Sequence, residues 1–158
     1  MKAAIVMGSD SDFPVMKSAV DMLKEFGVEV EVTVASAHRT PDKVREFVQK
    51  SDADVFIAVA GMAAHLAGVI ASYTVAPVIG VPINSEPFKG LDALLSTVQM
   101  PPGIPVATMA VNGSKNAALF AIELFAISNQ SLKRKLLDYR EKMASEIEKK
   151  DRAVQEKI

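Results

Sequence analysis

The chain has 158 residues, 49% of them apolar and 23% charged, with a formal net charge of -1. That length and apolar content can bury a real core, which excludes disorder, and the near-neutral charge excludes a general affinity for nucleic acid or acidic membranes. Cysteine is absent, which excludes disulfides, thiolate zinc and cysteine nucleophiles and suits a reducing, cytoplasmic setting.

Ala3 to Met7 is a continuous apolar run ended by Gly8, the pattern of a buried strand. It is too short for a signal peptide, and no stretch of about 20 uncharged apolar residues suits a membrane span. Pro14 suits the first turn of a helix that carries Val15, Ala19, Met22, Leu23 and Phe26 inward and ends at Gly27. Val28 to Val34 alternates strictly, which predicts a half-exposed strand near a sheet edge. Thr40 and Pro41 read as the N-cap and first position of a second helix, with Val44, Phe47 and Val48 facing inward. Asp54 to Ala60 is a third strand, and Val78 to Val81 a fourth, with Pro82 after it. Asn84 to Gly90 is a loop, Leu91 to Val98 a short helix, and Met100 to Pro105 irregular. Val106 to Val111 reads as a fifth strand, followed by a helix that begins near Ser114.

Strands that alternate with helices imply right-handed crossovers and a parallel sheet covered on both faces. The expected fold is α/β: a flavodoxin-like, three-layer α/β/α sandwich with a five-stranded parallel sheet. Residues 1–158 are expected to form one catalytic domain with a core over about residues 3–127 and a long C-terminal helix over about residues 131–157. From Ser131 onward there are nine Lys or Arg and six Asp or Glu. Leu132, Leu136, Tyr139, Met143, Ile147, Val154 and Ile158 form a narrow stripe. Either this is a solvated helix with one packed edge or it crosses to a neighbouring subunit, the latter being slightly favoured.

In an open parallel sheet, ligands bind beyond the carboxyl ends of the strands. Three chemically unusual stretches fall there. Gly8-Ser9-Asp10-Ser11-Asp12 offers hydroxyls and backbone N–H groups at a helix start, suited to a phosphate, with an acidic side chain suited to ribose hydroxyls; plain capping explains the same residues. Ser36-Ala37-His38-Arg39-Thr40-Pro41 places a hydroxyl, an imidazole and a guanidinium within four positions. Arg39 can hold a phosphate through two parallel hydrogen bonds or sit in a surface ion pair, and His38 can act as a general acid or base or merely satisfy the loop. Gly61 to Gly68 is a small-residue corner in which His65 reads as either a buried, satisfied histidine or a site residue. Two histidines without a carboxylate cluster make no metal site, and no serine stands in a hydrolase elbow.

Taken in order, Gly8 to Asp12, Ser36 to Pro41, Ala63-Ala64-His65-Leu66, and Gly90-Leu91-Asp92-Ala93-Leu94-Leu95-Ser96-Thr97-Val98-Gln99-Met100-Pro101 resemble the N5-carboxyaminoimidazole ribonucleotide mutases of purine (IMP) biosynthesis, over about residues 3–127. The resemblance implies a cytoplasmic homo-octamer of flavodoxin-like subunits. It also implies a cofactor-free, metal-free isomerase that moves a carboxylate from the exocyclic nitrogen of an aminoimidazole ribonucleotide to ring carbon C4, by decarboxylation and recarboxylation in a closed pocket. The partner is a small ribonucleotide, not nucleic acid or membrane. By similarity His38 and His65 are catalytic, with His38 the proton shuttle. Ser9 and Arg39 hold the phosphate, Asp12 takes the ribose hydroxyls, Ser36 binds substrate, and Gly61, Ala64 and Leu66, with His65, form the loop that encloses imidazole and CO2. Where the family commonly has Gly and Pro, this chain has Met62 and Ala67, both in the enclosing loop. The retained Ala63-Ala64-His65-Leu66 favours the mutases over the related direct carboxylases, which use free CO2. A nucleotide-binding module without chemistry is the alternative from another class.

Overall fold

The computed structural model describes residues 1–158, which form two compact units, Met1–Ala121 and Ile122–Ile158. In the first, β1 (Lys2–Met7), β2 (Glu29–Val34), β3 (Val55–Gly61), β4 (Val78–Ile83) and β5 (Ala107–Thr108) form one parallel sheet in the order β2-β1-β3-β4-β5. Between them run α1 (Phe13–Glu25), α2 (Pro41–Lys50), α3 (Leu66–Ala71) and α4 (Leu91–Val98), and α5 (Ser114–Ala126) follows β5. This is the flavodoxin-like α/β architecture expected.

Burial explains which strand lies where. β1, β3 and β4 are apolar on both faces and occupy the centre, with Ile5, Ile57 and Ile79 fully buried. The alternating β2 is an edge, with Val32 and Val34 exposed. One face of the sheet meets α2 and α3 through Val44, Val48, Leu66 and Ile70, packed on Phe56, Ala58 and Val78. A Cβ on Gly80 would come within 2.3 Å of Thr97 on α4, so α4 can press on β4 only because Gly80 has no side chain. The Ser18 and Ser114 hydroxyls, 2.8 Å apart, join α1 to the start of α5.

Several local details differ from expectation. On α1, Met16 and Val20 are buried and Val15 only half so. The helix ends one residue before Phe26. Gly27 takes φ +80, and the Val28 N–H reaches back to the Leu23 carbonyl, a stop that an L side chain would strain. β4 runs through Pro82 to Ile83 rather than stopping before it. β5, expected over Val106 to Val111, has a ladder only at Ala107–Thr108. Pro82 accounts for both observations. The Gly80 and Pro82 carbonyls accept from Met109 and Asn112, so the N-H-less nitrogen of Pro82 also faces β5. The central pairing of β4 with β3 is untouched, whereas β5 loses its next partner.

In the second unit, Asn129 caps α6 (Gln130–Gln155) by accepting from the Leu132 N–H at 3.0 Å. Leu132 and Leu136 are buried, but Met143, Ile147, Val154 and Ile158 on the same stripe are exposed. No helix in the chain is long and apolar enough to cross a membrane.

Candidate functional site

The register of the sheet brings the three unusual loops to one level. Met7 at the end of β1 lies opposite both Val34 of β2 and Val59 of β3. Residues 8–12, 35–40 and 61–65 therefore leave the sheet side by side, where the strand order reverses direction. They line a cleft of about 700 Å³, within the size range of small-molecule sites, together with Ile83 at the end of β4 and Asn84 and Ser85 after it. Every residue given a site role above lines it: Ser9, Asp12, Ser36, His38, Arg39, Gly61, Ala64, His65 and Leu66. Leu66 does so from the core, its side chain packed in the hydrophobic cluster.

The first loop is a short 3-10 turn, Asp10–Asp12. The Ser9 hydroxyl accepts from the Ser11 N–H at 3.3 Å and from the Ser11 hydroxyl at 2.8 Å, and Asp12 accepts from the Ser9 N–H at 3.2 Å. Asp12 is only 7% exposed. Burial pushes its carboxyl above the usual carboxylate range, while the Ser9 N–H and the Arg39 guanidinium oppose the shift. A raised folded-state value means that the folded chain binds this proton more tightly than the unfolded chain. The associated stability is full below the ordinary value of 3.8 and is lost as pH rises through the raised one. Asp12→Asn should therefore melt at a higher temperature than the parent at neutral pH, with the advantage vanishing on acidification below that window. Thermal unfolding followed across pH checks both parts.

The second loop is closed by Thr40, though not as a helix cap. Its hydroxyl accepts from the Ser36 N–H at 2.9 Å and donates to the Ser36 carbonyl at 3.2 Å, so it has turned back from α2 to tie off the four-residue bend. Inside that bend the Ser36 hydroxyl accepts from the backbone N–H of Arg39 at 3.2 Å and from its Nε at 3.4 Å. Arg39 Nη2 donates to the Gly8 carbonyl at 2.8 Å. The guanidinium plane is thus held between two loops with further N–H groups left over, a disposition suited to a tetrahedral anion.

The third loop supplies the feature that no spacing argument could foresee. His38 Nε2 lies 2.8 Å from His65 Nδ1, with the rings edge-on at 76° and their centroids 4.9 Å apart. His65 is exposed, not buried as its apolar neighbours suggest, because it stands in the turn just before α3 begins at Leu66. One ring must donate and the other accept, so the tautomer of one dictates that of the other and a proton held by the pair is shared. Met62 and Ala64 in the same loop have φ of 54 and 26. The Ala64 N–H reaches the Gly61 carbonyl at 3.1 Å, and the Met62 N–H reaches the Ser85 hydroxyl at 3.2 Å. Sequence reasoning gave Ser11 no role of its own and missed Asn84 and Ser85. The signal for the last two was their place, a polar pair directly beyond an apolar strand.

The cleft therefore joins hydroxyls, a fixed guanidinium and a buried carboxylate to a hydrogen-bonded imidazole pair. Comparison with known proteins identifies the family. The chain is 56% identical over 152 residues to the N5-carboxyaminoimidazole ribonucleotide mutase of Methanocaldococcus jannaschii, covering 96% of each chain. It is 53% identical over 155 residues to the mutase of the same name from Pyrococcus horikoshii, covering 96% of this chain and 88% of the other. Among solved structures, Treponema denticola PurE superposes with a TM-score of 0.86 at 30% identity, over 95% of this chain and 96% of that one. The AIR carboxylase family model matches residues 2–146, and with relatives this similar along nearly its whole length, the chain belongs to the AIR carboxylase family.

Proposed function

We propose that the chain is an isomerase of purine biosynthesis that converts N5-carboxyaminoimidazole ribonucleotide to its C4-carboxylated isomer. The observation that carries this reading is the His38–His65 pair facing the same cleft as Arg39, Ser9 and Asp12, in a chain whose relatives bear that name. Arg39, Ser9 and Ser36 hold the phosphate, and Asp12 accepts from the ribose hydroxyls. This assigns a use to the otherwise costly burial of a carboxylate. Gly61, Ala64 and Leu66 bring backbone close to the imidazole.

The chemistry then needs one mobile proton. The N–C bond of the carbamate breaks, CO2 leaves, and His38 delivers a proton to the exocyclic nitrogen. Carbon C4 next attacks the retained CO2, and His38 takes the C4 proton, restoring its starting state. His65 sets the tautomer from which the proton is given and to which it returns. The enzyme gains from holding CO2 and ring together, because a second-order recapture becomes an intramolecular one.

Incubation of purified protein with the carbamate substrate should form the C4 carboxylate faster than the spontaneous background. Turnover of aminoimidazole ribonucleotide with labelled bicarbonate alone would instead indicate a direct carboxylase, and binding without either reaction a nucleotide-binding module. A cytoplasmic homo-octamer, with residues 1–158 as one catalytic domain and α6 on a neighbouring subunit, belongs to the same reading. The placement of α6 on a neighbour is supported by the exposed Met143, Ile147 and Val154. Light scattering that returned a monomer at micromolar concentration would remove that part.

A further inference from the structure

We infer that Ser85 is a positioning residue, a latch whose hydroxyl holds the His65 loop in the strained conformation that meets His38. This rests on the mutase reading for its kinetic consequences but not for its geometry. Met62 is 63% exposed and not β-branched, yet it sits at φ 54, and Ala64 follows at φ 26. Backbone in this region is strained for a residue other than glycine and persists only where its surroundings overdetermine it. The exposed Met62 side chain has little packing to do so.

Two hydrogen bonds within reach of the strain remain. One, from the Ala64 N–H to the Gly61 carbonyl, is internal to the loop and travels with it. Apart from the His65 ring's contact with His38, whose position is what has to be explained, the other, from the Met62 N–H to the Ser85 hydroxyl, is the tie to another element. That tie is anchored at its far end. Asn112 Oδ1 accepts from the Asn84 N–H at 2.9 Å, and the Asn112 N–H donates to the Pro82 carbonyl at 2.9 Å. The backbone just before Ser85 is therefore held from the β5 side. The approach is close: a Cβ on Gly61 would lie 3.3 Å from the Ser85 hydroxyl oxygen. The line Asn112, Asn84, Ser85, Met62 ends three residues before His65, so the position of that imidazole depends on a hydroxyl that contributes no proton itself.

The test is a cycle of Ser85→Ala, Met62→Gly and the double variant, with Ser85→Thr as the conservative control. Each is read by steady-state kinetics, thermal unfolding and imidazole NMR of the two histidines. Ser85→Ala should lower kcat about tenfold, in keeping with the loss of one hydrogen bond, while KM, set by the phosphate end, changes less than about threefold. Both histidine signals should shift, since neither touches Ser85. Ser85→Thr should retain kcat. Glycine takes positive φ without cost, so Met62→Gly in the Ser85→Ala background should restore kcat to within about threefold of the parent and return the histidine signals. Additive effects, equal losses in the Thr and Ala variants, or unmoved histidine signals in Ser85→Ala would overturn the latch. A parent protein without isomerase turnover would instead sink the functional reading, with the NMR arm still deciding the latch. Unfolding of Ser85→Ala that Met62→Gly does not rescue counts against it as well.

Discussion

His38→Asn is expected to lose about 10²- to 10⁴-fold in turnover, the usual contribution of a positioned general acid–base group, while binding the ribonucleotide within about threefold of the parent. The separation follows from the geometry. His38 lies in a bend that closes on itself through Thr40 and Ser36, and the phosphate-grade groups Arg39 and Ser9 are held by other contacts, to Gly8, Ser36 and Ser11. Asparagine can occupy the bend, but its amide stops short of the position of Nε2 and cannot exchange a proton near neutral pH. His65→Asn leaves His38 without the ring 2.8 Å away that sets its tautomer, and it too should lower turnover. The double variant should be hardly worse than His38→Asn alone, because two groups that share one proton fail as a unit. Single-turnover measurements with bound substrate provide the readout. Equal losses that multiply in the double variant would mean the rings act independently. Loss of binding with unchanged turnover per bound substrate would move His38 out of the chemistry.

How far such a site could be read beforehand depends on the kind of information each part uses. The parallel sheet follows from periodicity and crossover handedness, and the meeting of the three loops from a flavodoxin-like strand order. These are local patterns combined with a general rule, and Met7, Val34 and Val59 end level as that rule requires. The contact between His38 and His65 spans 27 residues and was not legible. Nothing local distinguishes an imidazole that meets another from one that faces solvent. Thr40 illustrates a different failure. Its position predicts a cap, but its hydroxyl pairs with both backbone groups of Ser36 and makes no cap bond to the first turn of α2. The fifth strand failed because its length is set by Pro82, a residue on its neighbour. Ladder formation is a property of a pair of strands, and single-strand patterning cannot see it. Met62 was visible as a departure from the family resemblance. Its meaning appears only with φ in hand, since a methionine where the chain turns left-handed requires something outside the loop to hold it.

Arg39→Lys should raise KM by about 10- to 100-fold with kcat reduced far less, consistent with about 1.5–3 kcal/mol for hydrogen bonds to a charged partner. The conservative look of the substitution is misleading here. Arg39 meets the Gly8 carbonyl through Nη2 at 2.8 Å and the Ser36 hydroxyl through Nε at 3.4 Å, and these two contacts orient a rigid plane whose remaining donors can take two oxygens of one phosphate. Lysine carries the same charge, but on a freely rotating ammonium. It can satisfy Gly8 or the phosphate in turn and orients neither. The loss should therefore be one of geometry more than of charge, and raising ionic strength should weaken parent and variant to a similar degree. Dephosphorylated substrate separates this from any indirect damage. The nucleoside lacks the group that Arg39 holds, so parent and variant should handle it equally poorly. If Arg39→Lys still penalised the nucleoside, or if kcat fell while KM stayed put, Arg39 would be supporting the adjacent His38 instead of anchoring the far end of the substrate.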